Sequence, residues 1–153
     1  MRMRLNELKR SYHTIISLGS NCLPAYHLRR CELRSFSGPL DWMISDSLDT
    51  VATLLENRFS GFMELENLRV EGIDADQKNF LVRDIRYNIV AAHHFPTQAN
   101  QWHQLTTYPF FAEQLKRRID RLYQIFAERI PYYLSGLTGR RQKQPGSQAF
   151  WSV

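Results

Sequence analysis

The sequence predicts an α/β domain with a central sheet flanked by helices. Apolar, β-branched runs that are typical of buried strands alternate along the chain with segments whose apolar residues recur at helical spacing. A chain of 153 residues, of which 43% are hydrophobic and 23% charged, fits one domain with a single core. We therefore expect one domain over residues 1–137 and a basic, poorly ordered tail over residues 138–153.

The first predicted element is a strand–turn–helix unit. Residues 12–18, YHTIISL, are apolar and β-branched, and this run predicts a buried strand. After a sharp turn, Ser20 or Asn21 is the predicted cap of a helix, and Pro24 is tolerated because it falls in the first helical turn. Cys22 would therefore lie at the start of this helix, which is expected to end near residue 30 or 31.

A loop and a second helix follow. Residues 35–47, SFSGPLDWMISDS, are predicted as a loop because Gly-Pro breaks regular structure, with Trp42 as an aromatic anchor. Ser47 then predicts the cap of a helix over residues 48–59. Four apolar residues recur on this helix at helical spacing: Val51, Leu54, Leu55 and Phe59.

Short strands are predicted in the middle of the chain. Residues 67–72 and 79–84 favour two strands around the turn-rich segment GIDADQKN. Residues 84–95, DIRYNIVAAHHF, alternate as a further strand. His93 then ends its apolar row, and His94 points to the opposite face.

The last predicted element is a long helix from about residue 109 to residue 130, stopped by Pro131. Its apolar stripe is predicted to consist of Phe111, Leu115, Ile119, Leu122, Phe126 and Ile130. Lys116, Arg117 and Arg121 of the segment KRRIDR lie elsewhere around the helix, and we expect them on a solvated face.

Charge and composition indicate which partners and which cellular location the sequence favours. The net charge of +5 is compatible with an anionic partner, but no nucleic-acid motif accompanies it, so we expect no specific nucleic-acid binding. The N-terminal residues lack the apolar core of a secretory leader, and no run approaches the length of a membrane span. Two cysteines in such a chain favour a reducing, cytoplasmic location.

Cys22 has two interpretations. A helix N-terminus carries partial positive charge that favours a thiolate, the nucleophilic form of cysteine. Backbone N–H groups there, with Asn21 and Ser20 in support, are candidates to hold a developing oxyanion. The alternative is a small buried residue at a tight junction, because free cysteines are among the most buried residue types.

A reactive thiol needs a base. His93 is the preferred candidate at the predicted strand end and His94 the reserve, whereas a packed or solvated imidazole is the alternative for each. His13 and His27 are interpreted as structural, and His103 is a weaker reserve.

A zinc site built from Cys22 and the histidines is a rival hypothesis, but the sequence has no CxxC or HxxxH spacing. We therefore expect no metal and no cofactor. A disulfide between Cys22 and Cys31 is not expected either, because nine residues of helix would separate them by about 13 Å.

Five segments together resemble a known family: SLGSNCLPAYHLRR, LRSFSGPLDWMIS, LLENRFSGFM, HHFP and KRRIDR. They resemble the DUF1796 family, described as "putative papain-like cysteine peptidase", over about residues 13–130. The resemblance implies Cys22 as the nucleophile and His93 as its base. It also places Asp41 in an Asp-Trp loop, where the carboxylate either orients a histidine or pins the loop.

The resemblance implies a papain-like fold and a Cys-His pair that acts on an acyl or amide bond of a protein, peptide or glycoconjugate. Further strands and an orienting Asn or Asp are expected after the histidine. Here a basic, Gln-rich tail follows instead, so the domain is expected to be incomplete at its C-terminal side. The alternative function is a catalytically inactive member that serves as a binding module, with KRRIDR as its contact surface.

Overall fold

A computed structural model of the protein describes residues 14–129; the predicted tail over residues 138–153 and the start of the predicted first strand lie outside this range. The described residues form three α-helices and four strands, which confirms the mixed α/β class. In chain order the elements are α1 (Leu23–Arg30), β1 (Met43–Ser45), α2 (Leu48–Glu56), a short 3-10 helix (Leu65–Asn67), β2 (Leu68–Ile73), β3 (Phe80–Asp84), β4 (Ile89–Ala91) and α3 (Tyr108–Arg129).

The four strands form one antiparallel sheet in the order β1-β4-β3-β2. Paired residues share a face of the sheet, so Met43, Val82 and Ala91 lie together in the core, whereas Arg69 and Arg83 lie on the opposite face. Helices α2 and α3 complete the same core with buried residues Val51, Leu54, Phe111, Leu115 and Leu122. Each fully buried side chain of this size contributes roughly 1.5–3 kcal/mol.

The predicted strand over residues 12–18 is wrong over the part that the structure describes. Residues 14–18 carry no strand, although they are apolar and β-branched. Ser17 is buried and Leu18 is 40% exposed, so the burial does not follow the apolar residues. Strand propensity depends on an available pairing partner, and these residues pair with no strand of the described sheet.

Helix α1 begins one or two residues later than predicted. Cys22, rather than Ser20 or Asn21, occupies the cap position, and the Asn21 side chain instead accepts the N–H of Leu23 at 2.8 Å. Pro24 lies in the first turn, as predicted, and the helix ends at Arg30. Cys22 is thus the junction between an irregular loop and a helix.

The predicted loop over residues 35–47 contains strand β1, which the sequence analysis missed. Ser47 caps α2 as predicted, because its hydroxyl accepts the N–H of Thr50 at 3.3 Å. The helix ends at Glu56, and Phe59 joins the core from the turn that follows.

The continuous strand predicted over residues 84–95 is interrupted. The buried carboxylate of Asp84 accepts the N–H groups of Arg86 at 2.8 Å and Tyr87 at 3.1 Å, which folds residues 85–88 into a turn. Strand β4 is therefore short, and His93 follows it. The two strands predicted upstream are present as β2 and β3.

The predicted long helix is present as α3, and its expected end at Pro131 lies outside the described residues. Of its predicted stripe, Phe111, Leu115 and Leu122 are buried. No helix within residues 14–129 combines the length and the apolar character that crossing a membrane demands.

Candidate active site

Ser45 attaches the loop before α1 to strand β1. Its hydroxyl oxygen accepts the N–H of Ser20 at 2.8 Å, and its O–H donates to the carbonyl oxygen of Leu18 at 3.4 Å. Gly19 has a φ of +87°, and a Cβ there would lie 2.6 Å from the Ser45 hydroxyl oxygen. Ser20 also has a positive φ, of +73°, which costs an L-residue about 1–2 kcal/mol. The loop that precedes Cys22 is thus held in a constrained backbone conformation.

Trp42 positions His93. The backbone N–H of Ala92 donates to the carbonyl oxygen of Trp42 at 3.3 Å, which extends the β1–β4 pairing by one bond. The indole ring packs edge-on against the His93 imidazole, with ring centroids 5.7 Å apart and planes at 85°. Strand β1 therefore has the loop of Cys22 at one end and His93 at the other.

The structure brings Cys22 and His93 into contact. Nε2 of His93 lies 3.0 Å from Sγ of Cys22, a hydrogen-bonding distance for a nitrogen–sulfur pair. Cys22 is half-buried and His93 is exposed. Burial raises the pKa of the Cys22 thiol. This direction is opposite to the thiolate that a helix N-terminus is expected to favour. The raised pKa favours the protonated thiol at neutral pH.

The start of α1 offers fewer oxyanion donors than the sequence suggests. The N–H of Leu23 is taken by Asn21 Oδ1, and Pro24 has no N–H. The N–H of Ser20 is taken by Ser45. Because Asn21 accepts through its oxygen, its side-chain NH₂ group is a candidate oxyanion donor on the residue that precedes Cys22.

Asp41 pins the loop before β1. Asp41 is 1% exposed. Its Oδ2 accepts hydrogen bonds from Nη1 of Arg34 and from the backbone N–H of Gly38, each at 3.0 Å. Burial raises the pKa of Asp41 against the opposing effects of the Gly38 hydrogen bond and of Arg34 and Arg118. Within residues 14–129 its hydrogen-bond partners are Arg34 and Gly38, and neither is an imidazole.

His94 faces a different set of partners from His93. Its ring packs against Phe111 at a centroid distance of 5.1 Å, and its Nε2 lies 3.3 Å from Nη1 of Arg118. Arginine can only donate, so Nε2 is the unprotonated nitrogen and the proton resides on Nδ1. Burial, followed by the charges of Arg118 and His93, lowers the pKa of His94 to about 3. His94 is therefore a neutral acceptor for Arg118.

A cleft of about 520 Å³ opens beside His93. Two of its lining residues, Arg29 of α1 and Arg118 of α3, carry positive charge. The remaining lining residues are Trp42, His93, His94, Phe110, Phe111 and Gln114.

Arg118 was not predicted from the sequence as a site residue. It lies three residues after Leu115 and four before Leu122, so it shares the buried side of α3 with them. An arginine among the apolar residues on the buried side of a helix was the sequence signal that could have identified Arg118.

The other candidate residues lie apart from this pair. Cys31 is exposed, and both cysteines are free. His27 and His103 are exposed, whereas His13 lies outside the described residues. Residues 14–129 contain no cluster of three or more His, Cys, Asp or Glu side chains that could hold a metal ion.

Apart from Arg118, which lines the cleft, the basic residues of the segment KRRIDR contact other side chains of the protein. Lys116 pairs with Asp120 at 2.6 Å and Arg117 with Glu113 at 2.5 Å. The guanidinium of Arg121 lies over the Phe36 ring, 5.7 Å from its centroid. These contacts leave less free positive charge than the sequence suggests for a surface that binds anionic polymers.

The fold and the site define a mixed α/β protein with a cysteine–histidine contact at a helix start. The chain belongs to the family described as "putative papain-like cysteine peptidase" (DUF1796), whose family model matches residues 13–131. It is 28% identical over 124 residues to an uncharacterized protein of Acanthamoeba polyphaga mimivirus; the match covers 73% of this chain and 56% of that relative. The chain thus spans about half the length of this curated relative. No solved structure matches the chain.

Proposed function

We propose that the protein is a cysteine hydrolase that cleaves an acyl or amide bond through Cys22 and His93. The contact of 3.0 Å between Sγ of Cys22 and Nε2 of His93 carries this proposal. Thiol and base within hydrogen-bond reach are the minimum that nucleophilic catalysis by cysteine requires. Membership of a family described as cysteine peptidases supports it further.

In the proposed reaction His93 acts as a general base for a protonated thiol. Nε2 takes the Sγ proton as sulfur attacks the carbonyl carbon, and the carbonyl oxygen becomes an oxyanion for which the side-chain NH₂ group of Asn21 is the candidate donor. The bond to the leaving nitrogen or oxygen then breaks, and the proton on His93 passes to that atom. Water hydrolyses the thioester with His93 again as base, and the thiol is regenerated.

Asp41 acts in this proposal as a positioning residue. It holds the turn from which Trp42 reaches His93, through its bonds to Arg34 and Gly38. The substrate is a peptide, protein or glycoconjugate, and the free thiols favour a reducing, cytoplasmic location. The ion pairs of Lys116 and Arg117 argue against the alternative of a binding module that acts through these two residues of KRRIDR.

The test is acyl transfer from p-nitrophenyl acetate, followed by intact mass spectrometry. A Cys31→Ser variant is expected to gain one acetyl group on Cys22 and to lose it by hydrolysis. His93→Ala should slow acetylation at least about a hundredfold, the usual contribution of a general base. His27→Ala, at an exposed imidazole of α1, is the matched control. Equal rates in the His93 and His27 variants would refute the proposal.

A further inference from the structure

The cleft beside His93 has a positively charged lining that hydrolysis itself does not require. Arg29 and Arg118 line it, and none of the described residues that line it is acidic. His93 belongs both to the cleft and to the contact with Cys22, so the cleft begins one imidazole ring away from the thiol.

The guanidinium of Arg118 is fixed by a hydrogen bond rather than by an ion pair within the described residues. One Nη atom donates to neutral His94, and no carboxylate within residues 14–129 forms an ion pair with the guanidinium. The guanidinium has five N–H donors in a planar fork that matches two oxygens of a carboxylate or phosphate. Burial is the largest cause that lowers the pKa of Arg118, and the charge of Arg34 lowers it as well, whereas the carboxylate of Asp41 opposes both without forming a direct ion pair.

The buried Nδ1 of His94 provides a second observation. This nitrogen has no hydrogen-bond partner among the described residues, so its N–H is left unsatisfied. Such a buried donor costs free energy in most folds. The His94 ring is oriented so that Nε2 faces Arg118, although this orientation leaves Nδ1 without a partner. The imidazole therefore fixes the guanidinium of Arg118 at the cleft.

We infer that this cleft binds an anionic group of the substrate, a carboxylate or a phosphate, through Arg118 and Arg29. This inference rests on the proposed function, since it assigns the substrate class of that same site. The substrate then carries its negative charge close to the acyl carbon that Cys22 attacks. Phe110, which lines the cleft and is 61% exposed, offers apolar surface to the part of the substrate between the two groups.

The experiment compares two alkylating probes on the Cys31→Ser variant. N-bromoacetyl-β-alanine carries a carboxylate, and its amide is the neutral counterpart. We expect Cys22 to react about tenfold faster with the acid, since charge-assisted bonds to arginine are worth that factor or more. Inorganic phosphate and glutarate should each slow labelling, and the stronger competitor identifies the phosphate or the carboxylate as the preferred group.

Arg118→Gln should abolish the preference for the acid, and Arg29→Gln, at an exposed position, should reduce it severalfold. Arg117→Gln is the matched control, because its side chain is paired with Glu113. Equal rates for acid and amide, or a preference that survives Arg118→Gln, would overturn the inference.

A thiol-free variant, Cys22→Ser with Cys31→Ser, separates this inference from the proposed function. Glutarate or phosphate should raise its melting temperature, and Arg118→Gln should remove that shift. If Cys22 proves unreactive while the shift is present, the hydrolase proposal fails and the anion site stands. If Cys22 is reactive but neither the shift nor the acid preference occurs, only the anion site fails.

Discussion

Sγ of Cys22 lies 3.0 Å from Nε2 of His93, although 71 residues separate them in the chain. Strand β1 brings them together: Ser45 at its end holds the loop before Cys22, and Trp42 just before it holds the backbone beside His93. The alignment of thiol and imidazole therefore depends on a strand of three residues at the edge of the sheet.

The pH profile of alkylation reports the resting state of Cys22. In a Cys31→Ser variant, which has one thiol, the rate with iodoacetamide should rise through an inflection above about 8.5, the ordinary pKa of a free thiol. The reason is that burial raises the pKa of Cys22 and favours the protonated form. Full reactivity already at pH ~6 would indicate a resting thiolate–imidazolium pair and contradict this prediction.

Ser45→Ala should displace Cys22 from His93 and should lower the free energy of unfolding only slightly. The change removes the acceptor for the Ser20 N–H and should cost about 1 kcal/mol in urea unfolding, with a severalfold slower alkylation of Cys22. Ser47→Ala is the matched control, since losing the α2 cap should cost a similar ~1 kcal/mol. The two variants should then differ in thiol reactivity alone, and equal alkylation rates would count against the role given to Ser45.

Local signals were sufficient to predict the helices and the β2–β3 pair. The cap at Ser47 and the apolar spacing of α2 and α3 are encoded within a few residues, and both helices are present. The family resemblance implies Cys22 and His93 as a pair, and the two side chains are in contact. No local sequence pattern predicts a contact between residues 71 positions apart.

Non-local contacts explain what the sequence analysis missed. Residues 14–18 have strand propensity but no partner in the described sheet, whereas β1 has weak local signals and pairs with β4. The turn at residues 85–88 depends on the buried carboxylate of Asp84, whose third bond, at 2.6 Å, is to the N–H of Met63. A hydrogen bond between residues 21 positions apart produces no periodic pattern in the sequence, so it could not be predicted from it.

Replacements of Asp41 should separate its charge from its hydrogen bonds. Asp41→Ala leaves the Gly38 N–H and the partly buried Arg34 without an acceptor, so we expect a loss of about 2–3 kcal/mol in urea unfolding. Asp41→Asn keeps one side-chain acceptor oxygen and should cost less. Asp46→Asn, at an exposed carboxylate, is the control and should change little.

The same variants test the ionisation of Asp41. Because its pKa is raised in the folded state, the folded protein holds the proton more tightly than the unfolded chain does. The stability of the native protein relative to Asp41→Asn should therefore be fully present below pH ~3.9, the ordinary pKa of an aspartate, and should be lost as the pH rises through the raised pKa. A relative stability that increases from acid to neutral pH would show that the Asp41 charge is favoured by folding, contrary to this prediction.

His94 should make the protein less stable in mild acid. Its pKa is lowered to about 3 in the folded state, whereas an unfolded histidine titrates near ~6.5, so the unfolded chain binds the extra proton between these values. Stability is therefore fully present above pH ~6.5 and falls by about 2 kcal/mol by pH ~5 from this group alone. In His94→Gln this part of the pH dependence should disappear, while His27→Gln, at an exposed imidazole, should keep it. Urea unfolding at pH ~5 and pH ~8 measures the difference in stability between the native protein and the His94→Gln variant. If that difference is independent of pH, His94 is not the neutral acceptor of Arg118.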